Sequence, residues 1–148
     1  MFTGEYECTL DEKGRVSIPS KFREVLNQKY NSKLILSRWF DGCLALFPYE
    51  EWVKIANKLR ETTSFTQPEG RKLQRLFFSS AIECSLDRQG RLMIPQRQRQ
   101  MAGINRRVVM IGIVDKIEIW AKEAMDKYYS EEMEQGLEDL AEMINVQL

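Results

Sequence analysis

Residues 7–19 read ECTLDEKGRVSIP, and residues 83–95 read ECSLDRQGRLMIP, the same passage again at an offset of 76. Eight of the thirteen positions are identical, and the pairs Thr9/Ser85 and Val16/Leu92 keep size and polarity. Chance does not produce this, and the physics of each copy reads directly. Tyr6, Cys8 and Leu10 alternate with Glu5, Glu7 and Thr9, the two-residue period of a strand with one buried face. Asp11-Glu12-Lys13-Gly14 follows, with Asp where its carboxylate can accept backbone N–H groups and Gly where a left-handed conformation is needed. Val16 and Ile18 resume the alternation and Pro19 ends it, so each copy predicts a hairpin followed by a helix start. Asp11, Gly14, Asp87 and Gly90 are expected to shape the two tips. With Val16, Ile18, Leu92 and Ile94 inward, Arg15, Ser17, Arg91 and Met93 face outward, which predicts an exposed guanidinium just past each tip.

The similarity extends beyond the tips. Phe2 and Thr3 match Phe78 and Ser79 at the same offset. After Pro19, the spacing of Phe22, Val25 and Leu26 predicts a short helix with proline at its start, and PQRQRQMAG repeats it with a thinner apolar face. Strands are expected at 33–37 and 107–112, then at 43–47 and 117–120. Pro48 opens a helix lined by Trp52, Ile55, Ala56 and Leu59; ETTSFTQ is the expected linker; Leu73, Leu76 and Phe77 mark a further short helix. Met125, Tyr129, Met133, Leu137, Leu140 and Ile144 predict one amphipathic helix from Lys122 to about Ile144, weakened midway by Gly136. The expected divisions are 1–58 for the first half, 59–76 for the linker and short helix, 77–121 for the second half and 122–148 for the C-terminal helix. The fold class is α+β, mainly β with short helices. A half so short buries too little apolar surface to be secure alone, so the two are expected to share one core.

Composition narrows the chemistry. The 148 residues are 43% hydrophobic and 30% charged, the balance of a soluble globule. No apolar run reaches membrane-spanning length and no signal-peptide pattern opens the chain, which predicts a cytoplasmic protein. Histidine is absent, removing the commonest general base and metal ligand. Cys8, Cys43 and Cys84 form no C-x-x-C pair and read as buried thiols, with Cys8 and Cys84 on inward strand faces. No metal, cofactor or small-molecule substrate is expected. Net charge is zero, yet it is unevenly spread. Six arginines and no acid lie between Arg88 and Arg107, whereas residues 122–148 hold eight acids and two lysines. Positive charge travels with the repeats.

The doubled D-x-x-G-R passage, the opening MFTGEYECTLDEKGRVSIP, the RLFFSSA lead-in and the DKIEIW strand together resemble the MraZ family, bacterial regulators linked to the division and cell-wall operon. That resemblance implies the swapped-hairpin fold of the SpoVT-AbrB class, built here by two tandem halves of one chain as a single pseudo-twofold domain. It also implies a ring-shaped homo-oligomer, nucleoid-associated, that binds double-stranded DNA at short guanine-containing repeats upstream of its own operon. The family's D-x-x-x-R signature falls on Asp11 and Arg15, and again on Asp87 and Arg91.

The chemistry of those residues suits that role. An arginine held on a rigid tip can donate two parallel hydrogen bonds to guanine O6 and N7 in the major groove. Lys13 and Arg88 at the tips, with Lys21, Arg23, Arg97 and Arg99 after them, can neutralise phosphates and set register. DNA contacts are therefore expected at Arg15, Arg91, Lys13, Arg88, Lys21 and Arg97. Against this stands the plainer reading that Asp11 and Gly14 only make a good turn and that Arg15 pairs with Asp11. The arginines from 97 to 107 suit phosphate contact or a solvated helix face equally. Enzyme chemistry is not expected: Asp11 and Asp87 sit within reach of turn amides that favour the ionised form, and no phosphate-cradling loop or nucleophile elbow is present. A protein-binding module of antitoxin type is the alternative, expected to expose an apolar tail that folds on its partner.

Overall fold

The structure, a computed structural model, describes residues 1–30 and 33–147; Leu148, the end of the expected C-terminal helix, lies outside the described residues. The first half runs β1 (Glu5–Thr9), β2 (Arg15–Ser17), α1 (Ser20–Lys29), β3 (Leu34–Arg38), β4 (Leu44–Pro48) and α2 (Tyr49–Thr62). Then α3 (Pro68–Ser80) leads into β5 (Ile82–Cys84), β6 (Arg91–Met93), α4 (Gln96–Met101), β7 (Arg107–Ile113), β8 (Lys116–Ala121), α5 (Lys122–Glu131) and α6 (Leu137–Met143). A 3-10 turn, Phe40–Gly42, joins β3 to β4. Prolines set the helix starts: Pro19, Pro48 and Pro95 cap α1, α2 and α4, and Pro68 opens α3. The fold is α+β, mostly antiparallel strands with short helices, as expected.

The pairing corrects the local hairpins. Each turn closes as expected, with the Asp11 N–H donating to the Arg15 carbonyl at 2.8 Å and the Gly14 N–H to the Asp11 carbonyl at 3.0 Å. The flanking strands then part company. β1 pairs with β7 of the second half, with Tyr6 opposite Met110, and β5 pairs with β3 of the first, with Ile82 opposite Leu36. β2 pairs only with β6, Val16 opposite Leu92. A lone two-stranded hairpin of this length is marginal in water. Exchange lets β2 and β6 form a ribbon whose Val16, Ile18, Leu92 and Ile94 are buried in the main core. The exchanged arrangement is the one the resemblance implies.

The remaining strands form a six-stranded antiparallel sheet in the order β1-β7-β8-β4-β3-β5, so strands of the two halves interleave. One face carries Leu34, Leu36, Leu44, Leu46, Val108, Met110, Ile117 and Ile119, which pack in one cluster with the ribbon residues and with Phe22 and Leu26 of α1. On the alternate parity, Cys43, Val109, Trp120 and Met125 form a second cluster that seats α5. Trp39, Phe47, Trp52, Phe77 and Phe78 contact one another as aromatic pairs between β3, β4, α2 and α3. Neither half owns a core.

Three element expectations are revised. α2 continues to Thr62, so the expected division after residue 58 falls inside a helix. Leu73 and Leu76 of α3 are exposed rather than inward, and Phe77 alone of that trio is buried. The single helix expected from Lys122 is two, α5 and α6, parted at 132–136. Glu131, Glu132 and Glu134 crowd like charge at the break, and Gly136 adds its own helix penalty.

Candidate nucleic-acid interface

Each tip is held by one aspartate. Asp11 Oδ1 accepts the backbone N–H groups of Lys13 and Arg15, both at 2.9 Å, and its Oδ2 accepts the Arg15 Nε–H at 2.8 Å. Asp87 repeats this atom for atom with Gln89 and Arg91, at 2.9, 2.9 and 2.8 Å. Three donors on one carboxylate explain its acidity. The backbone N–H of Arg15, then its guanidinium and the N–H of Lys13, hold the Asp11 carboxyl below its ordinary value; Arg91 and Gln89 do the same for Asp87. Both aspartates are thus fixed, ionised acceptors and poor proton donors.

Gly14 and Gly90 have φ of 81° and 75°, the left-handed region that favours glycine. Both are buried, because the other half leans on them. A Cβ on Gly14 would run into the Arg99 guanidinium, and one on Gly90 would lie 2.6 Å from Arg23 Cδ. The backbone joins the tips as well: the Ile18 N–H donates to the Gly90 carbonyl at 3.0 Å and the Ile94 N–H to the Gly14 carbonyl at 2.9 Å.

Across the ribbon, Arg15 stands opposite Met93 and Arg91 opposite Ser17, so the two arginines are diagonal neighbours on one face, roughly 7–8 Å apart at Cβ. Met93 is exposed between them. Arg91 Nη1 also lies 4.0 Å from Asp11 Oδ2, which ties Asp11, Arg15, Asp87 and Arg91 into one charged cluster across the pseudo-twofold axis. The guanidiniums are not the free groups expected: their side chains are 29% and 27% exposed, and both are paired with a turn aspartate. Anchoring through Nε removes rotamer freedom while leaving the Nη edge open. An arginine so held presents a fixed two-donor fork.

Lys13 and Arg88 are exposed at the two tips, and Lys21 and Arg97 are exposed in the first turns of α1 and α4. Among the described residues, none of these four lies within 4.0 Å of a carboxylate. Arg88 also lines a cleft of about 400 Å³ with Arg23, Asn27 and Tyr30. Arg23 and Arg99 differ from that set. Arg23 is half-buried, donates from Nε to the Ile18 carbonyl at 3.0 Å and braces the opposite tip. Their bracing role was not expected, although their recurrence at the 76-residue offset was the available signal. The thiols stay remote from this face: Cys43 is buried, Cys8 and Cys84 are half-buried against the main core, and burial raises all three, Cys84 to about 12. No three metal-ligating side chains gather among the described residues, and no helix among them is long and apolar enough to cross a membrane.

A comparison with protein-family models matches both halves of the chain, residues 1–76 and residues 77–145, to the family described as "MraZ protein, putative antitoxin-like".

Proposed function

The chain belongs to the MraZ family, and from that premise we propose that it is a sequence-specific regulator that reads DNA with its paired tips. The family is one of regulatory or antitoxin-like proteins. The observation that carries the reading is the doubled Asp-held arginine, Asp11 with Arg15 and Asp87 with Arg91, on one face of the ribbon. Rigid forks on a two-stranded ribbon match how guanine is read in the major groove. Lys13, Arg88, Lys21 and Arg97, unpaired among the described residues, supply phosphate contacts that fix register.

In this reading residues 1–58 and 77–121 are the two reading halves, 59–76 joins them and 122–148 carries the acidic tail. The target is a set of short tandem repeats upstream of the protein's own division and cell-wall operon. The net charge is zero, so one subunit offers few phosphate contacts, and a ring of subunits on adjacent repeats recovers affinity through effective concentration. Such a protein works in the cytoplasm on the nucleoid, without cofactor or small-molecule substrate.

The test is a fluorescence-anisotropy titration against the DNA upstream of the gene, with a scrambled duplex and the Arg15→Ala, Arg91→Ala double variant alongside. Each lost guanine contact is worth about 1–3 kcal/mol, so the double variant should lose specific affinity by at least about tenfold. Its melting temperature should move little, since exposed ion pairs contribute roughly 0–1 kcal/mol. Equal binding to both duplexes would sink the reading. A second reading, protein capture of the antitoxin type, is favoured by one observation: the apolar face of α6 is exposed, as such a tail requires.

A further inference from the structure

Two apolar surfaces of this chain lie uncovered, and they differ in shape and charge. The first is α6. Leu137, Leu140, Met143 and Ile144 fall at helical spacing along one side, and no residue of the helix is buried; Leu137, Met143 and Ile144 are 74%, 69% and 72% exposed. Its other side carries Glu138, Asp139 and Glu142. A seven-residue helix is far below the length that holds in water on its own propensity, so its stability must come from a surface that covers the apolar stripe.

The second surface is a groove of about 180 Å³ between the 3-10 turn and α3, lined by Trp39, Phe40, Leu73, Leu76 and Phe77 with Arg38 at its edge. Phe40 is 66% exposed and Leu76 53%. Lys72 and Arg75 stand on the flank of α3, beside Leu76. Among the described residues, Arg38, Lys72 and Arg75 have no carboxylate within 4.0 Å, and Glu138, Asp139 and Glu142 have no cation within that distance.

An acidic helix with an apolar stripe and an apolar groove with a basic rim are complementary in both respects. We propose that α6 of one chain docks by its Leu137-Leu140-Met143-Ile144 face into the Trp39/Phe40/Leu73/Leu76/Phe77 groove of a second copy. The partner is a second copy because the chain's own α6 leaves its own groove open, so both surfaces go unsatisfied within one molecule. The mode is helix-in-groove, with anchors at i, i+3, i+6 and i+7 and acid-to-base pairing at the rim. Because the two patches are different, the contact is heterologous. Each copy then has one free patch at either end, and the chain of contacts grows until it closes or runs on. The groove is built on α3 and the turn after β3, away from the ribbon that bears Arg15 and Arg91, so assembly leaves the tips free.

The experiment is sedimentation velocity on the full chain and two variants, Leu76→Glu in the groove and Met143→Glu on α6. Both residues are exposed, so neither charge enters a core; circular dichroism and melting curves matching wild type confirm the fold. The wild type should sediment as an assembly of several copies and each variant alone as single chains. An equimolar mixture of the two should give pairs and nothing larger, because one variant retains an intact α6 and the other an intact groove. Variants that keep the wild-type size overturn the proposal. So does a mixture that stays as single chains, since that means α6 covers its own groove. A wild-type protein that is itself single also overturns it and assigns α6 to a different protein.

Discussion

At the scale of single residues, the two tips put stability and recognition on the same carboxylate. Asp11 and Asp87 each accept three donors while ionised. A carboxyl whose value is depressed on folding contributes stability that is present above its unfolded value, about 3.9, and is lost as pH falls through the folded value. The tip arginines should therefore lose their brace only below about pH 4. Carbon-detected NMR titration of the two carboxyls checks this: midpoints below the model-peptide value are expected at both, and a midpoint at or above it would show that the turn amides do not hold them. Glycine sets the second residue-level prediction. Gly90→Ala places a side chain in left-handed backbone against Arg23 and should cost about 1–3 kcal/mol in chemical denaturation. The same change at Gly103, also of positive φ but with open space around it, should cost less, because only the backbone term remains.

At the scale of elements, equivalent positions in the two halves are solved by different chemistry. Phe22 of α1 is buried against the rings of Phe2 and Tyr6. Its counterpart Gln98 of α4 is equally buried, but donates from Nε2 to the Ser80 carbonyl at 3.1 Å, and the Ser80 hydroxyl accepts the Arg38 N–H at 2.9 Å. Gln98→Ala should leave that carbonyl unpaired and cost about 1–3 kcal/mol by thermal or chemical melting; a loss near zero would mean α4 is seated by Ala102 and Ile104 alone. This asymmetry also measures what the sequence could say. Strand parity was legible because Val16, Ile18, Leu92 and Ile94 alternate with polar or charged neighbours, and a two-residue period admits only one inward face. Strand partners were not, since parity is the same whether β2 pairs with β1 or with β6. The exchange entered only through the family resemblance. The burial of Gln98 was hidden because its partner is a carbonyl, which no side-chain pattern records. The break between α5 and α6 was half legible: Gly136 marked the weakness, but the loss of a covering surface beyond Glu131 is a tertiary fact.

At the scale of the whole molecule, the two halves are joined by hydrogen bonds at every level: β1 to β7, β5 to β3, β4 to β8 and β2 to β6. Neither half should fold alone. Residues 1–76 expressed without 77–148 leave β2, β4 and β1 without partners, and the expected circular dichroism and NMR spectra are those of a collapsed or unfolded chain; a dispersed, native-like spectrum from either half would show that the duplication still folds as two independent units. The interleaving has one more consequence, felt while the protein is being made. Thr9 of β1 is paired with Arg107 of β7, almost a hundred residues later in the chain. At roughly 5–20 residues per second of synthesis, the earlier strand waits on the order of 5–20 s on the ribosome before its neighbour exists. Over that interval its backbone is an open template, and Glu5 and Glu7, whose charges do little for the finished sheet, are what keep two nascent chains on one messenger from zipping together there.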